Sequence, residues 1–262
     1  MRVFGKWCVS ACTLTVAGIM CASVASAEMT LDGVIGYWPM EEGGDVEDVI
    51  GGNHGVVNGD VKEIAGKFGG ALEFDGLSDV HIEGSDALNF ADVDTFSVSV
   101  WANADSDAPV EGAVPGQCCG TIVAQRDVNG WALRYDSRQA GTEYEFIVNA
   151  GGWKGDGAFG IQQPPPNEWH HYVGVLDAGT MKMYFDGEFV MEEVAGAVTS
   201  VGFETEIGHA GDGGFVGGID EVVIYSIALS DDQVMANFET PGLAVDPAGK
   251  VATSWASLKA LR

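Results

Sequence analysis

Phe215-Val216-Gly217-Gly218-Ile219-Asp220-Glu221-Val222-Val223-Ile224-Tyr225, running into Ser226-Ile227-Ala228-Leu229-Ser230, joins a glycine-rich approach, an alternating strand and a helix start. Strand side chains alternate with period two, so Asp220 is expected on the same face as Val222 and Ile224. If that face is buried, a carboxylate at the edge of an apolar core must be paired, protonated or bound to a metal. Just downstream, Ser230-Asp231-Asp232-Gln233 has the form of a capping box ahead of Val234-Met235-Ala236-Asn237-Phe238. That predicts one short helix ending before Pro241-Gly242.

Upstream, the pattern is one of short alternating runs broken by Gly, Asp and Asn. Leu72-Glu73-Phe74 and Val80-His81-Ile82 flank a turn, and Thr95-Phe96-Ser97-Val98-Ser99-Val100-Trp101 puts Phe96, Val98 and Val100 on one face with hydroxyls on the other. Trp131-Ala132-Leu133-Arg134-Tyr135, Tyr144-Glu145-Phe146-Ile147-Val148 and His171-Tyr172-Val173-Gly174-Val175-Leu176 follow. Met181-Lys182-Met183-Tyr184-Phe185 then turns at Asp186-Gly187 into Glu188-Phe189-Val190, a hairpin signal. Many short strands with polar outward faces predict an all-β chain of antiparallel sheets packed face to face.

The first 27 residues read as a secretory signal: Arg2 and Lys6, an apolar run from Cys12 to Ala22, then Ala25-Ser26-Ala27 as a small-x-small cleavage site. That run is too short to span a bilayer, and no later segment reaches the roughly 18 apolar residues needed. Export to the periplasm or the exterior is expected, without membrane insertion. Cleavage near Ala27 leaves one β domain over residues 28–240 and a tail over 241–262. The exported part carries ten basic and 39 acidic residues, a net charge of −29. Such a charge repels nucleic acid and anionic membranes and attracts divalent cations.

Three of the five cysteines leave with the signal, and only the adjacent pair Cys118-Cys119 remains, in a loop. A bond between neighbours closes an eight-membered ring outside ordinary bridge geometry. A soft-metal role needs more ligands nearby, and none is obvious. A vicinal disulfide and free thiols both stay open.

The order of motifs resembles the bacterial LamG-like jelly-roll domains of the concanavalin A-like lectin/glucanase superfamily. The matching pieces begin with Gly36-Tyr37-Trp38-Pro39-Met40-Glu41-Glu42-Gly43, Asp48-Val49-Ile50-Gly51-Gly52-Asn53-His54-Gly55 and Gly66-Lys67-Phe68-Gly69-Gly70-Ala71-Leu72-Glu73-Phe74-Asp75-Gly76. Glu168-Trp169-His170-His171-Tyr172-Val173, Met183-Tyr184-Phe185-Asp186-Gly187 and the Gly218-to-Tyr225 strand follow in the same order. The resemblance implies a two-sheet antiparallel jelly-roll sandwich whose first and last strands are adjacent, bringing the loop Asp48–His54 near Asp220. It also implies one calcium ion there, with Asp48, Asn53 and Asp220 supplying side-chain oxygens and Gly51 and Gly52 carbonyls. The chemistry agrees, since calcium takes six to eight oxygens. The loop departs from the commoner Asp-Ser-Ser-Gly-Asn form by losing its hydroxyls.

A fold of this kind hosts lectins, hydrolases and adhesion modules, so function rests on the site. The glucanase branch uses a Glu-x-Asp-x-x-Glu strand. The nearest match, Glu73-Phe74-Asp75-Gly76-Leu77-Ser78, lacks the last carboxylate, and a retaining mechanism requires two carboxylates about 5–5.5 Å apart. His170 and His171 are adjacent on a strand and point to opposite faces, so they cannot chelate one ion together. The reading is therefore a secreted, non-catalytic module that binds carbohydrate, with a surface-protein partner as the alternative. Sugar recognition stacks rings on aromatic faces beside carboxylates and amides. Trp153, flanked by glycines, is the candidate platform, and Arg126, Asp127 and Asn129 in a neighbouring turn are candidate polar contacts. Trp101 and Trp169 border strong strands and are expected in the core.

Overall fold

The computed structural model describes residues 29–41, 45–111, 117–240, 242, 245–246 and 250–251. The expected secretory signal and most of the tail lie outside them. Two antiparallel sheets face one another. The first runs in the order Glu188–Val194, Thr180–Phe185, His170–Asp177, Phe96–Ala104, Gly213–Tyr225, Gly70–Asp75 and Lys62–Ala65. The second runs Trp153–Lys154, Tyr144–Asn149, Trp131–Asp136, Cys119–Ala124, Thr205–Ile207, Asp79–Ile82, Gly55–Asn58 and Asp45–Val46. The first strand, Val34–Trp38, pairs with Gly213–Tyr225 through Tyr37–Val223 and Trp38–Val222, as the resemblance implied.

The core lies between the sheets. Phe96, Val98 and Val100 point inward from the first sheet, and Trp131, Leu133, Tyr135, Tyr144, Phe146 and Val148 do so from the second. Phe96 packs on Trp131 at 5.6 Å between ring centres, and Tyr144 stacks on Tyr172 at 4.8 Å. The tight turn is where it was expected: Phe185 pairs with Glu188, and Asp186 and Gly187 both take the positive φ that such a turn needs. The helix spans Asp231–Glu239, and its capping box at Ser230 and Gln233 is closed in both directions.

The outer faces of the two sheets differ. Tyr37, Val173, Val175, Tyr184, Val223 and Tyr225 on the first sheet are buried together with Leu229 and with Val234 of the helix. The hydroxyl face of Phe96–Ala104 is therefore covered too. Ser97 Oγ accepts from the amide of Leu229, and Ser99 Oγ bonds His171 Nε2 at 2.8 Å. Trp101 lies buried, stacked on Phe238 at 5.5 Å. The outer face of the second sheet carries charge instead, and it is the face left for function.

Candidate functional site

On the outer face of the second sheet, Ala124, Ala132 and Ile147 lie side by side across three strands. Trp153 packs on this small apolar floor. Its flanking glycines do not keep it out of the sheet, since Trp153–Lys154 pairs with Val148 and Asn149. The ring stays only partly buried, and the Arg126 guanidinium sits 4.0 Å from its centre. Asp127, on the same turn, accepts from the Gly211 amide at 3.0 Å. Asn129 is exposed at the positive-φ corner of that turn. Of the four candidate contacts, Trp153 and Arg126 touch, and Asp127 and Asn129 rim them.

Two residues along the strand, Arg134 faces the same way and is only 2% exposed. It is enclosed by Asp136, Glu145, Asp156 and Asp212. Asp212 also holds Arg126, and Arg138 bridges Asp136 and Asp156. One network thus runs from the Trp153 stack across the sheet. Burial pushes the Glu145 carboxyl up to about 7 despite the Arg134 beside it. Burial also acts on Asp136, but the hydrogen bonds from Arg138, aided by Arg134, hold it below the usual carboxylate range. Glu206, which pairs with His81 and Ala124 on the same face, is 7% exposed with Oε2 unbonded. Burial, with Asp127, Asp79 and Glu204 nearby, raises it to about 8. The network was missed at the level of sequence, although its signal is present: charged Arg134 and Glu145 stand inside otherwise apolar strands.

Cys118 and Cys119 are joined by a disulfide. Cys119 pairs with Asp136, so the bond lies at the far end of the same face.

The proposed metal ligands divide into two places. Asp48 Oδ1 accepts the amides of Tyr37, Ile50 and Gly51, and Oδ2 accepts the amide and the side-chain nitrogen of Asn53. Five N–H donors occupy this carboxylate, which orders the loop and leaves little for a cation. Asp220 belongs elsewhere. A bulge shifts the register between Asp220, opposite Trp101, and Val223, opposite Ser99. Ile219 and Val222, three apart, both reach the inter-sheet core. Asp220 therefore faces outward with Trp101, away from Val222 and Ile224. There Oδ2 accepts the Phe68 amide at 3.1 Å, while Oδ1 is buried with no partner. Burial raises this carboxyl to about 7, with Glu41 adding to it. Glu41 grips the same loop, accepting the Gly70 amide at 2.7 Å. The orphaned oxygen fits a cation; the Asp48–Asn53 pair does not.

His171 is buried, and burial drives it down to about 3, whereas His170 bonds Asp186 at 2.8 Å. Glu73 and Asp75 lie on the first sheet, away from the charged face; Glu73 pairs with Lys62, and Asp75 accepts from the turn at Leu77 and Ser78.

The comparisons agree with this architecture. The family Laminin_G_3, described as the concanavalin A-like lectin/glucanases superfamily, matches residues 75–235. Domain 4 of AbnA, a GH43 extracellular arabinanase from Geobacillus stearothermophilus solved with arabinotriose, superposes with a TM-score of 0.58 at 19% identity, over 79% of this chain and 98% of that one. The binding domain of Paraclostridial Mosquitocidal Protein 1 gives 0.61 at 13% identity, over 79% of this chain and 52% of that one. The binding domain of botulinum neurotoxin serotype D gives 0.54 at 17% identity, with the same coverage. The chain thus spans about half the length of the two toxin domains, and at such identities the likeness is one of fold. No curated protein matches the sequence. With a family match over more than half its length and the jelly roll that goes with it, the chain belongs to the concanavalin A-like lectin/glucanase superfamily.

Proposed function

We propose that the protein is a secreted, non-catalytic module that binds an extracellular carbohydrate on the outer face of its second sheet. The observation that carries this reading is Trp153: a partly exposed indole, seated on Ala124, Ala132 and Ile147, stiffened by Arg126 and bordered by a fixed ionic network. Arg126 lies over the ring, so a sugar stacks there by displacing the guanidinium, and the network beside it supplies polar groups already held in place. The arabinotriose complex of the similar arabinanase domain supports it.

A calcium ion belongs to the same reading, held by Asp220 and Glu41 above the loop Gly66–Gly70. The support is the buried, unbonded Asp220 Oδ1 and the preference of calcium for carboxylate and carbonyl oxygens. The ion would neutralise two facing carboxylates and stabilise the domain, with no role in chemistry.

A protein partner is the second reading. It is favoured by the edge strand Glu188–Val194, which exposes Phe189 and Val194. A glycan array run with calcium and with chelator, followed by titration of any hit, separates the two. Retention of a glycan by the exported protein, lost in a folded Trp153→Ala variant, is expected. No retained glycan under either condition contradicts the carbohydrate reading.

A further inference from the structure

All three arginines among the described residues, Arg126, Arg134 and Arg138, stand together on the second sheet's outer face, in a chain otherwise dominated by acidic residues. Arg134 and Arg138 share two carboxylates, Asp136 and Asp156. Asp156 differs from the other acids around them. It is the most exposed, at 36% against 17% for Asp212, 1% for Asp136 and 0% for Glu145. Asp136 also accepts the Arg138 amide and Glu145 the Gly157 amide, so both are tied to backbone. Among the described residues, only the two guanidiniums hold Asp156. It rides on Gly155 and Gly157, both with positive φ, and the space where a Gly157 side chain would stand is open.

We infer that Asp156 is a stand-in for the ligand's own anion: a carboxylate or sulfate group of an acidic polysaccharide displaces it and takes its place on Arg134 and Arg138. This rests on the carbohydrate reading and names its ligand class. Guanidinium forks match planar and tetrahedral oxyanions through paired hydrogen bonds. The Arg138–Asp156 pair is exposed and contributes little, and buried Arg134 keeps Asp136, Glu145 and Asp212 when Asp156 leaves, so the incoming sugar contacts decide the exchange. A neutral polysaccharide has nothing to offer the two arginines in return. Displacing Asp156 leaves Arg126, Arg134 and Arg138 against Asp136, Glu145 and Asp212, so the incoming anion replaces the charge that Asp156 supplied.

The test is titration of wild type, Asp156→Asn and Arg138→Gln with polygalacturonate, dextran sulfate and unmodified dextran at about 0.15 M salt, each variant first shown to melt like wild type. Polygalacturonate isolates a carboxylate source and dextran sulfate a sulfate source, and binding of either supports the inference. Asp156→Asn removes the competitor and is expected to raise affinity for that polymer about tenfold; Arg138→Gln is expected to lower it by a similar factor, the loss of one charge-assisted bond. Dextran should not respond to either variant. Binding of neutral glycans with no anionic preference, or an affinity unmoved by Asp156→Asn, overturns the inference and leaves the carbohydrate reading standing. Absence of binding to any glycan removes both.

Discussion

Replacing Asp48 by alanine separates structure from metal binding. The carboxylate is 3% exposed and accepts five N–H donors. The Ile50 and Gly51 amides lie at the surface and can turn to water. Those of Tyr37, in a buried strand, and Asn53 cannot. Leaving a buried donor unsatisfied costs about 1–3 kcal/mol. Two such donors put the loss at roughly 2–6 kcal/mol, which lowers the melting temperature by about 4–24 °C in a domain of this size. Asp48→Asn keeps one acceptor oxygen and should lose less. Scanning calorimetry with calcium and with chelator reads both effects, and the drop should be equal in the two conditions. A variant that melts within about 1 °C of wild type refutes the hydrogen-bond accounting. A drop seen only with calcium returns the metal to Asp48.

Asp220→Asn is expected to abolish calcium-dependent stabilisation, worth about 2.7 kcal/mol with calcium a hundredfold above Kd; an unchanged calcium response in melting experiments places the ion elsewhere. Glu206 has a carboxyl raised from 4.5 to about 8 in the fold. Its stabilising contribution is complete below 4.5 and is lost as pH rises toward 8. Glu206→Gln should therefore gain on wild type across that window in urea unfolding and hold a constant advantage above it; a difference independent of pH contradicts this. Arg134→Gln leaves Glu145 buried without its cation, while Asp136 keeps Arg138, and is expected to destabilise by about 3 kcal/mol or more. Part should return at acidic pH, where the carboxylates take up protons, and thermal unfolding across pH checks it.

Local chemistry was legible wherever a few neighbouring residues decide the outcome. Asp186-Gly187 can take the backbone angles of a two-residue turn, and Ser230 with Gln233 closes a cap, so both are written in adjacent residues. The strand faces of Phe96–Trp101 followed from alternation. Alternation failed at Asp220, because a bulge is set by the strands on either side, and one inserted residue turned the carboxylate to the opposite face. The donors on Asp48 were hidden for a related reason: its five N–H partners are brought to it by the fold. On the proposed binding face, Trp153 and Arg126 are legible as loop residues, but their stacking needs the pairing of four strands. Arg134, Glu145 and Asp212 lie far apart in the chain and meet only on the assembled sheet.

The central claim is that Trp153 and the network beside it form a carbohydrate platform. The most direct measurement is calorimetric titration of the best array glycan into wild type and into Trp153→Ala, with equal melting temperatures showing that both are folded. An aromatic residue at the centre of a binding site contributes about 2 kcal/mol or more. The variant should therefore lose affinity by at least about thirtyfold. Equal affinity of the two proteins for the same glycan contradicts it and moves the binding site off this face.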